Sequence, residues 1–406
     1  MTTATPFKFA RRMDQLPPYL FGMINKLKME KRHQGDDVID LGMGNPLDSA
    51  PQVVADKLSE VAQDPKTHRY PAADGLRNLR REIGLAYEQD YGVALDMDRE
   101  IIMTIGSKEG ISHLSLALVG PGDTVLVPAP AFPIHIYATI IAGGSVIRIA
   151  LDEDEAFVKR IADMCQNVFP RPKVLILNYP HNPTATLGSL DLFAAIVGLA
   201  KKYGFMVVHD FAYAKIAFDG YTPPSFLQAP GARQVGVEFG SFSKTYNMAG
   251  WRLGYCVGNP DIIQGLAKIK GYYDYGIFAA IQVAGIVALR DCDQEVAEQV
   301  AKYQARRDTL CDGLERMGWA VDRPQAGMFV WAGLPEPFNR MGSMDFAMEL
   351  MQRANVAVAP GIGFGEEGEG YLRLALVENE HRLRQALRQM RRALPEIEAH
   401  LESKSA

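Results

Sequence analysis

The stretch VGVEFGSFSKTYNMAGWRLGY, residues 235–255, begins as an apolar run and continues into a lysine and an arginine set among small, hydroxyl and aromatic residues. The run VGVEFG has the near-continuous apolar character of a buried parallel strand. Lys244 follows directly, between Ser243 and Thr245, in surroundings unlike a solvated charged face. The stretch therefore predicts a strand, over 235–244, whose carboxyl end presents an amine.

Strand and helix patterns alternate on the amino-terminal side of this stretch, from about residue 51 onward. The other predicted strands are EIIMTIG (100–106), DTVLVPAP (123–130), KVLILNYPHNPT (173–184) and FMVVHD (205–210). This alternation predicts an open α/β sheet with helices on both faces. After about residue 290 a long helix, short strands and the loop GIGFGEEGEG predict a smaller α+β domain.

The length of 406 residues exceeds what a single hydrophobic core usually covers, so we predict more than one domain. Residues 1–50 are predicted to form an N-terminal arm and part of the small domain. Residues 51–290 would form the large, cofactor-binding domain, and residues 291–406 the small C-terminal domain.

Composition excludes several classes of function. The net charge of −5 and the absence of a basic stripe argue against nucleic-acid binding. No apolar run reaches the roughly 18 residues of a membrane helix. The 4 cysteines are scattered, without a CxxC pair or a histidine cluster, which predicts neither a disulfide framework nor a metal site. The N-terminus has no apolar core typical of a signal peptide, so we expect a cytoplasmic protein.

Side chains with useful chemistry follow the predicted strands. Ligands in open α/β sheets bind outside the carboxyl ends of the strands, so these positions are the candidate site. They comprise Ser107 and Lys108 in GSKEG, Phe132 in AFP, Asn182 in HNPT, Asp210 and Tyr213 in HDFAY, and Ser241, Ser243 and Lys244 in SFSK.

Two of these features suit a phosphate. GSKEG opens a predicted helix, whose free backbone N–H groups and positive dipole end favour an anion. Ser107 could equally be a simple helix cap. Arg252, in GWRLGY, could grip a phosphate with its planar guanidinium or take part in a structural ion pair.

Three charged residues have similarly open interpretations. Asp210 could hold a ring nitrogen protonated or cap the following turn. Lys244 could be a desolvated amine that forms a Schiff base, or an ordinary solvated lysine. Arg373, in YLRLALV, could reach into the cleft toward a substrate carboxylate, or lie solvated on an edge strand.

Taken together, a phosphate cradle, a stacking ring, a carboxylate and an amine nucleophile describe pyridoxal 5′-phosphate. The ordered motifs GSKEG, NYPHNPT, HDFAY, SFSKTYNMAGWRLGY and YLRLAL resemble those of the fold-type I pyridoxal-phosphate aminotransferases of class I and II. The resemblance covers nearly the whole chain and is strongest to the bacterial branch of alanine (glutamate–pyruvate) transaminases. It implies a three-layer αβα large domain with a mostly parallel seven-stranded sheet, plus the smaller α+β domain.

The resemblance also implies roles for individual residues. Lys244 would form the internal aldimine with the cofactor and move the proton of the substrate α-carbon. Asp210 would pair with the pyridine N–H. Asn182 and Tyr213 would bond the phenolic oxygen of the ring, and Phe132 would stack on its face.

The phosphate and substrate groups follow in the same way. The residues implied at the phosphate are Ser107, Lys108 through its backbone, Ser241 or Ser243, Arg252, and Tyr70 from the neighbouring subunit. Arg373 would bind the substrate α-carboxylate, helped by Asn182 and the backbone at Gly44. A site shared in this way implies a homodimer.

Two departures from the family pattern bear on function. Ala185 stands where a glycine usually follows NPT. The segment GYYDYGIF (271–278) holds no arginine, although aspartate aminotransferases of the best-known subgroup supply one from about this region for a distal carboxylate. We therefore expect transamination between alanine and 2-oxoglutarate, giving pyruvate and glutamate.

Other functions remain open at this point. Aspartate or LL-diaminopimelate aminotransferase activity is the nearest alternative, and a C–S lyase on the same scaffold is a further one. An amino-acid-sensing regulator would need a DNA-binding segment, and the roughly 45 residues before the large domain show no helix-turn-helix or basic patch.

Overall fold

The computed structural model describes residues 7–18 and 20–405, so the first six residues of the predicted N-terminal arm lie outside the described residues. The strands, in chain order, are β1 (Ile39–Asp40), β2 (Ile101–Thr104), β3 (Thr124–Ala129), β4 (Ser145–Ala150), β5 (Pro172–Asn178), β6 (Met206–Asp210), β7 (Gly236–Ser241), β8 (Gly254–Gly258), β9 (Phe329–Gly333), β10 (Val356–Ala357), β11 (Ala359–Pro360) and β12 (Tyr371–Ala375).

Helices occupy most of the remaining chain. They are α1 (Leu20–His33), α2 (Gln52–Val61), α3 (Arg77–Tyr91), α4 (Ser107–Leu118), α5 (Pro133–Ala142), α6 (Asp154–Asn167), α7 (Leu190–Tyr203), α8 (Ala232–Val235), α9 (Phe242–Thr245), α10 (Pro260–Tyr273), α11 (Ala279–Asp291), α12 (Asp293–Glu315), α13 (Ser343–Ala354) and α14 (Glu380–Ser405). Short 3-10 turns connect several of them.

The largest sheet has seven strands within the described residues, in the order β2-β8-β7-β6-β5-β3-β4. Neighbouring strands run parallel except at β8, which is antiparallel to both β2 and β7. The carboxyl ends of the other six strands consequently lie along one edge of the sheet. The predicted α/β fold with a mostly parallel seven-stranded sheet is confirmed.

Both faces of this sheet are covered by apolar packing, because successive strand residues point to opposite faces. One face buries Leu126, Leu175 and Val207 against helices such as α7, and the other buries Val125, Val174 and Val208 against helices such as α4. Burial on both faces explains why these strands are continuous apolar runs rather than alternating ones. The arrangement is the predicted three-layer αβα sandwich.

A second core lies around the sheet β11-β12-β9 and the helices α12, α13 and α14. Its buried side chains include Ile39 and Leu41 from the N-terminal part of the chain. Strand β1 also pairs in parallel with β10, through Ile39 and Val356. These contacts associate the N-terminal residues with the smaller α+β unit, while the predicted boundaries at 50 and 290 stay predictions.

One local prediction needs correction, and one alternative that the sequence left open is decided. The strand predicted over 235–244 ends at Ser241, and Lys244 lies in the single helical turn α9 that follows. Arg373 is not on an edge strand, because β12 pairs with β11 on one side and with β9 on the other. Among the described residues, the helices are all too short or too polar to cross a membrane.

Candidate active site

A cleft of about 640 Å³ opens where the carboxyl edge of the large sheet faces β9 and β12 of the smaller unit. Its lining includes residues that follow β2, β3, β5, β6 and β7, together with Phe329 and Arg373 from the smaller unit. The strand order brings these positions together, although they are spread over more than half of the chain.

Lys244 projects into the cleft from the turn α9. Ser241 begins this turn, because its side-chain oxygen accepts the backbone N–H of Ser243 at 3.2 Å. Lys244 Nζ donates to the carbonyl oxygen of Gly44 at 2.5 Å. Burial, and then the positive charges of Arg373 and Arg252, lower the pKa of the Lys244 amine to about 8. The amine is therefore a far better nucleophile near neutral pH than a solvated lysine.

Asp210 is the buried last residue of β6. Its Oδ2 accepts a hydrogen bond from His135 Nε2 at 3.0 Å, and its Oδ1 is buried without a hydrogen-bond partner among the described residues. A buried carboxylate oxygen without a donor is costly unless a bound group supplies one. The protonated nitrogen of a pyridine ring is a donor of the required kind, so the cofactor fits this end of the cleft.

Another part of the lining, where β2 leads into α4, forms an anion cradle. Gly106, at φ +77, turns the chain from β2 into α4, which begins at Ser107 with unsatisfied backbone N–H groups. The guanidinium of Arg252 lies against Gly106, since a Cβ placed there would be 2.3 Å from Arg252 Nη2. Arg252 is held by bonds to the carbonyls of Ala249 (3.0 Å) and Ile105 (3.3 Å). A helix start and a fixed guanidinium together suit a phosphate.

Asn182 joins two functional side chains in the middle of the cleft. Its Nδ2 donates to Tyr213 Oη at 3.4 Å, and its Oδ1 accepts from Arg373 Nη1 at 2.8 Å. Burial raises the pKa of Tyr213, so the phenol keeps its proton and can donate it in a hydrogen bond. Asn182 lies in a turn that is closed by the N–H of Ala185, at φ +60, which donates to His181 O at 2.8 Å.

Arg373 is buried on the central strand of its sheet. Its Nη2 donates to Gly42 O at 2.8 Å, and its guanidinium lies 4.1 Å from the ring centre of Phe329 and 4.7 Å from that of Phe364. Stacking and hydrogen bonds fix the plane of the guanidinium, which then presents a flat, forked donor to a carboxylate.

The structure brings 12 of the 13 predicted site residues to this one cleft. They are Gly44, Ser107, Lys108, Phe132, Asn182, Asp210, Tyr213, Ser241, Ser243, Lys244, Arg252 and Arg373. The exception is Tyr70, whose side chain is 88% exposed and contacts Tyr275 with ring centres 5.4 Å apart. That Tyr70 contacts the phosphate in the site of a neighbouring subunit stays a prediction. The individual roles of the other residues stay predictions as well.

Several residues at or next to the cleft were not predicted from the sequence. His135 bonds Asp210 without lining the cleft, and it carries a signal, because it is a lone histidine in the otherwise mostly apolar helix PIHIYATIIA. Phe329 and the side chains of α1 that line the cleft, Asn25, Lys28 and Arg32, carry none, because only packing of the smaller unit brings them near the sheet edge.

Outside the cleft, Glu109, His113 and Asp274 form a group with metal-ligand side chains. The buried ammonium of Lys270 lies 3.1 Å from Glu109 Oε1 and 3.0 Å from Asp274 Oδ2. This ammonium already provides the positive charge that a metal ion would supply, so the group is an ion-pair network linking α4 to the end of α10.

A family model described as aminotransferase class I and II matches residues 36–390. The chain belongs to the class I and II aminotransferases. It is accordingly a pyridoxal-phosphate-dependent aminotransferase, in agreement with the fit of that cofactor to Asp210, Lys244 and the anion cradle.

Relatives of this aminotransferase cover almost its whole length. It is 48% identical to the glutamate–pyruvate aminotransferase AlaC of Escherichia coli, over 96% of this chain and 94% of that protein. It is 43% identical to the LL-diaminopimelate aminotransferase of Moorella thermoacetica, over 96% and 99% of the two chains.

Solved structures of the same fold are equally complete matches. The substrate-bound structure of BacF from Bacillus subtilis superposes with a TM-score of 0.89 at 30% identity, over 95% of this chain and 98% of that one. The aspartate aminotransferase of Thermus thermophilus with maleate gives a TM-score of 0.87 at 26% identity, over 95% and 100%.

Proposed function

We propose that this aminotransferase transfers the amino group between alanine and 2-oxoglutarate, giving pyruvate and glutamate. The observation that carries the proposal is a buried guanidinium, Arg373, facing the same cleft as an amine of lowered pKa, Lys244. The similarity to the Escherichia coli glutamate–pyruvate aminotransferase supports the choice of substrates. The arginine-free segment 271–278 supports it as well, because a small neutral amino acid needs no arginine from there.

When bound, pyridoxal phosphate supplies an electron sink that lets the α-proton of an amino acid leave. The chain's own residues set up that event. Asp210, buried beside His135, would hold a proton on the ring nitrogen, because its Oδ1 needs a donor. The anion cradle at Ser107 and Arg252 would fix the opposite end of the cofactor and thus its position over the sheet edge.

Arg373 and Lys244 would act on the substrate itself. The guanidinium, held by Asn182 and Gly42, would bind the α-carboxylate and so orient the bonds of the α-carbon. The Lys244 amine would then act as the base that takes the α-proton and as the acid that gives a proton back, for which a pKa near neutrality is favourable. Tyr213 lines the cleft and keeps its phenol proton, so it would donate a hydrogen bond to the group bound there.

Half-reaction spectroscopy tests the substrate proposal. The purified holoenzyme is mixed separately with alanine, glutamate, aspartate, LL-diaminopimelate and methionine, and conversion of the bound cofactor is followed by its absorbance. We expect alanine and glutamate to react fastest. Fastest conversion by LL-diaminopimelate would instead assign the activity named for the Moorella thermoacetica relative, and pyruvate plus ammonia from cystathionine would assign a C–S lyase.

We also propose a homodimer with shared active sites. Large aromatic side chains are exposed on one region of the chain, with Tyr70 88% and Tyr272 87% exposed. Tyr273, Tyr275 and Phe278 belong to the same region. Exposed aromatic clusters of this kind commonly mark protein interfaces, and a second copy would cover this one.

A cytoplasmic location completes the proposal. Cys165, Cys256, Cys292 and Cys311 are all unpaired and buried. Free thiols are typical of proteins in a reducing compartment, which supports this location.

A further inference from the structure

Helix α1 forms part of the wall of the active-site cleft. Asn25, Lys28 and Arg32 follow one another at three- and four-residue spacing, so they lie on one face of this helix, and all three line the cleft. The helix is held in place by Lys31, which bonds Asp36 at 3.0 Å and Asn355 at 2.6 Å. The face that reaches the cleft therefore has a defined position.

Lys28 is nearly buried and is connected to the substrate-binding arginine. Its Nζ donates to Asp40 Oδ2 at 2.5 Å, and Asp40 Oδ1 accepts the N–H of Gly42 at 2.9 Å. The carbonyl of Gly42 in turn accepts from Arg373 at 2.8 Å. Lys28 and Arg373 are thus both hydrogen-bonded to the short segment 40–42, and both line the cleft.

Glutamate and 2-oxoglutarate carry a second carboxylate that needs a cation in this partly enclosed cleft. Most of the positively charged residues that line it already have a role in the proposed function. Lys244 would be the reactive amine, and Arg373 would bind the α-carboxylate. Arg252 and Lys108 lie at the anion cradle. Lys28 and Arg32 remain among the described lining residues, and Arg32 is an exposed side chain at the rim that already bonds Val38 O at 3.1 Å.

We propose that Lys28 binds the distal carboxylate of glutamate and of 2-oxoglutarate, an inference that rests on the proposed function. An ammonium has three donors, and Asp40 occupies one of them. With alanine or pyruvate in the cleft, Lys28 stays paired with Asp40 alone. With a dicarboxylate it donates to both carboxylates, so one cleft accepts a methyl side chain and an anionic one.

The acidic neighbours of Lys28 are compatible with a bound anion. Asp40 is paired with Lys28 itself. Glu378 also lines this part of the cleft, and burial raises the pKa of its carboxyl, which favours the neutral form. The positive charge of Arg32 at the rim adds a longer-range attraction.

The test compares two oxo acids that differ only in the distal carboxylate, 2-oxoglutarate and 2-oxopentanoate, in the half-reaction with the amino form of the holoenzyme. For Lys28→Met we expect kcat/KM for 2-oxoglutarate to fall by roughly 10- to 100-fold, the effect of one charge-assisted hydrogen bond. The values for 2-oxopentanoate and pyruvate should change by less than about 2-fold on the same argument. Lys26→Met is the matched control, because Lys26 is also a lysine of α1 paired with an acidic side chain, Glu30, and does not line the cleft.

Lys28→Met leaves Asp40 without its partner, so the double variant Lys28→Met/Asp40→Asn is measured in parallel. It should lose the same selectivity for 2-oxoglutarate. The holoenzyme is titrated with glutarate and with butyrate, and binding is followed by cofactor absorbance. The affinity for glutarate should fall in both variants, whereas the affinity for butyrate should not.

An equal loss for all three oxo acids would assign Lys28 a structural role and overturn the proposal, as would unchanged selectivity. A wild-type enzyme that failed to use alanine and pyruvate would refute the proposed function instead. In that case the comparison of 2-oxoglutarate with 2-oxopentanoate would still decide the role of Lys28.

Discussion

At the scale of single residues, the Lys244 amine depends on its surroundings for its reactivity. The turn α9 places it in the cleft, where it is partly shielded from water and close to two guanidinium groups, and both effects disfavour its charged form. The same side chain on the surface would be protonated almost completely at neutral pH.

The cofactor-free enzyme should therefore capture added pyridoxal phosphate covalently at a rate that rises with pH, with its midpoint at a pH of about 8. The deprotonated amine is the reactive form, so about a tenth of it is available at pH 7. Stopped-flow absorbance gives the rate at each pH. Arg373→Leu should shift the midpoint upward, because one of the two repelling charges is lost. Lys244→Ala is the control that shows no covalent capture, and a wild-type midpoint near 10 would contradict the assignment.

Asp210→Asn should lower turnover by roughly 100-fold or more, the usual effect of losing one preorganised electrostatic group. Asparagine keeps a contact toward His135 but cannot hold a proton on a ring nitrogen as an anion does. Cofactor retention, measured by absorbance after gel filtration, should fall much less than turnover, because the anion cradle is unchanged. Survival of full turnover would show that the carboxylate has another role.

At the scale of elements, the junction of β2 and α4 forms the anion cradle. Gly106 has φ +77 and ψ 159, a backbone conformation that almost only glycine adopts. The lack of a side chain also gives the Arg252 guanidinium its place against the start of the helix. The conformation and the close approach both require glycine at this position.

Gly106→Ala should weaken binding of pyridoxal phosphate by about 10-fold or more. The added Cβ would displace the Arg252 guanidinium and so remove its charge-assisted hydrogen bonds to the phosphate. Equilibrium dialysis of the cofactor measures the affinity. Gly204→Ala is the comparison variant, since Gly204 also has φ +77 but has open space around it. It should lose about 1 kcal/mol of unfolding free energy from backbone strain alone and keep its cofactor affinity. Equal affinity losses in the two variants would remove the clash as the cause.

At the scale of the whole molecule, the cleft exists because two cores meet. The large sheet supplies the cofactor side chains and the smaller unit supplies Arg373 and Phe329, so neither core contains a complete site. In the proposed homodimer, the exposed aromatic region around Tyr70 would extend the same principle to a second copy of the chain.

A subunit-mixing experiment tests this shared site. Tyr70→Ala subunits and Lys244→Ala subunits are each expected to be impaired as homodimers. Random reassortment of equal amounts should restore up to about a quarter of the wild-type sites, because each mixed dimer holds one site with both native residues. The activity of the reassorted mixture is measured and compared with the summed activities of the two variants kept separate. Activity no higher than that sum would show that Tyr70 does not serve the partner's site.

The residues that follow five strands of the large sheet could be predicted to lie together, because parallel strands leave their carboxyl ends on one edge. The strands β4 and β8 and the order of strands in the sheet were not predicted. Lys244, Asp210 and Arg252 follow apolar runs in SFSK, HD and GWR, and these local patterns were enough to indicate the cofactor. The local pattern around GSKEG likewise predicted the start of α4 at Ser107.

Only the tertiary structure placed Arg373 on a central strand, gave Asp210 its His135 partner and brought Lys28 to the cleft. Periodicity reports which face of an element is buried, but it does not report which distant element covers that face. Lys28 and Arg373 are far apart in the chain and line one cleft only because α1 packs against the smaller unit, through Ile24 among others. The motifs that indicate the cofactor were therefore recognisable locally, whereas the surroundings proposed to select the substrate arise from contacts between distant parts of the chain.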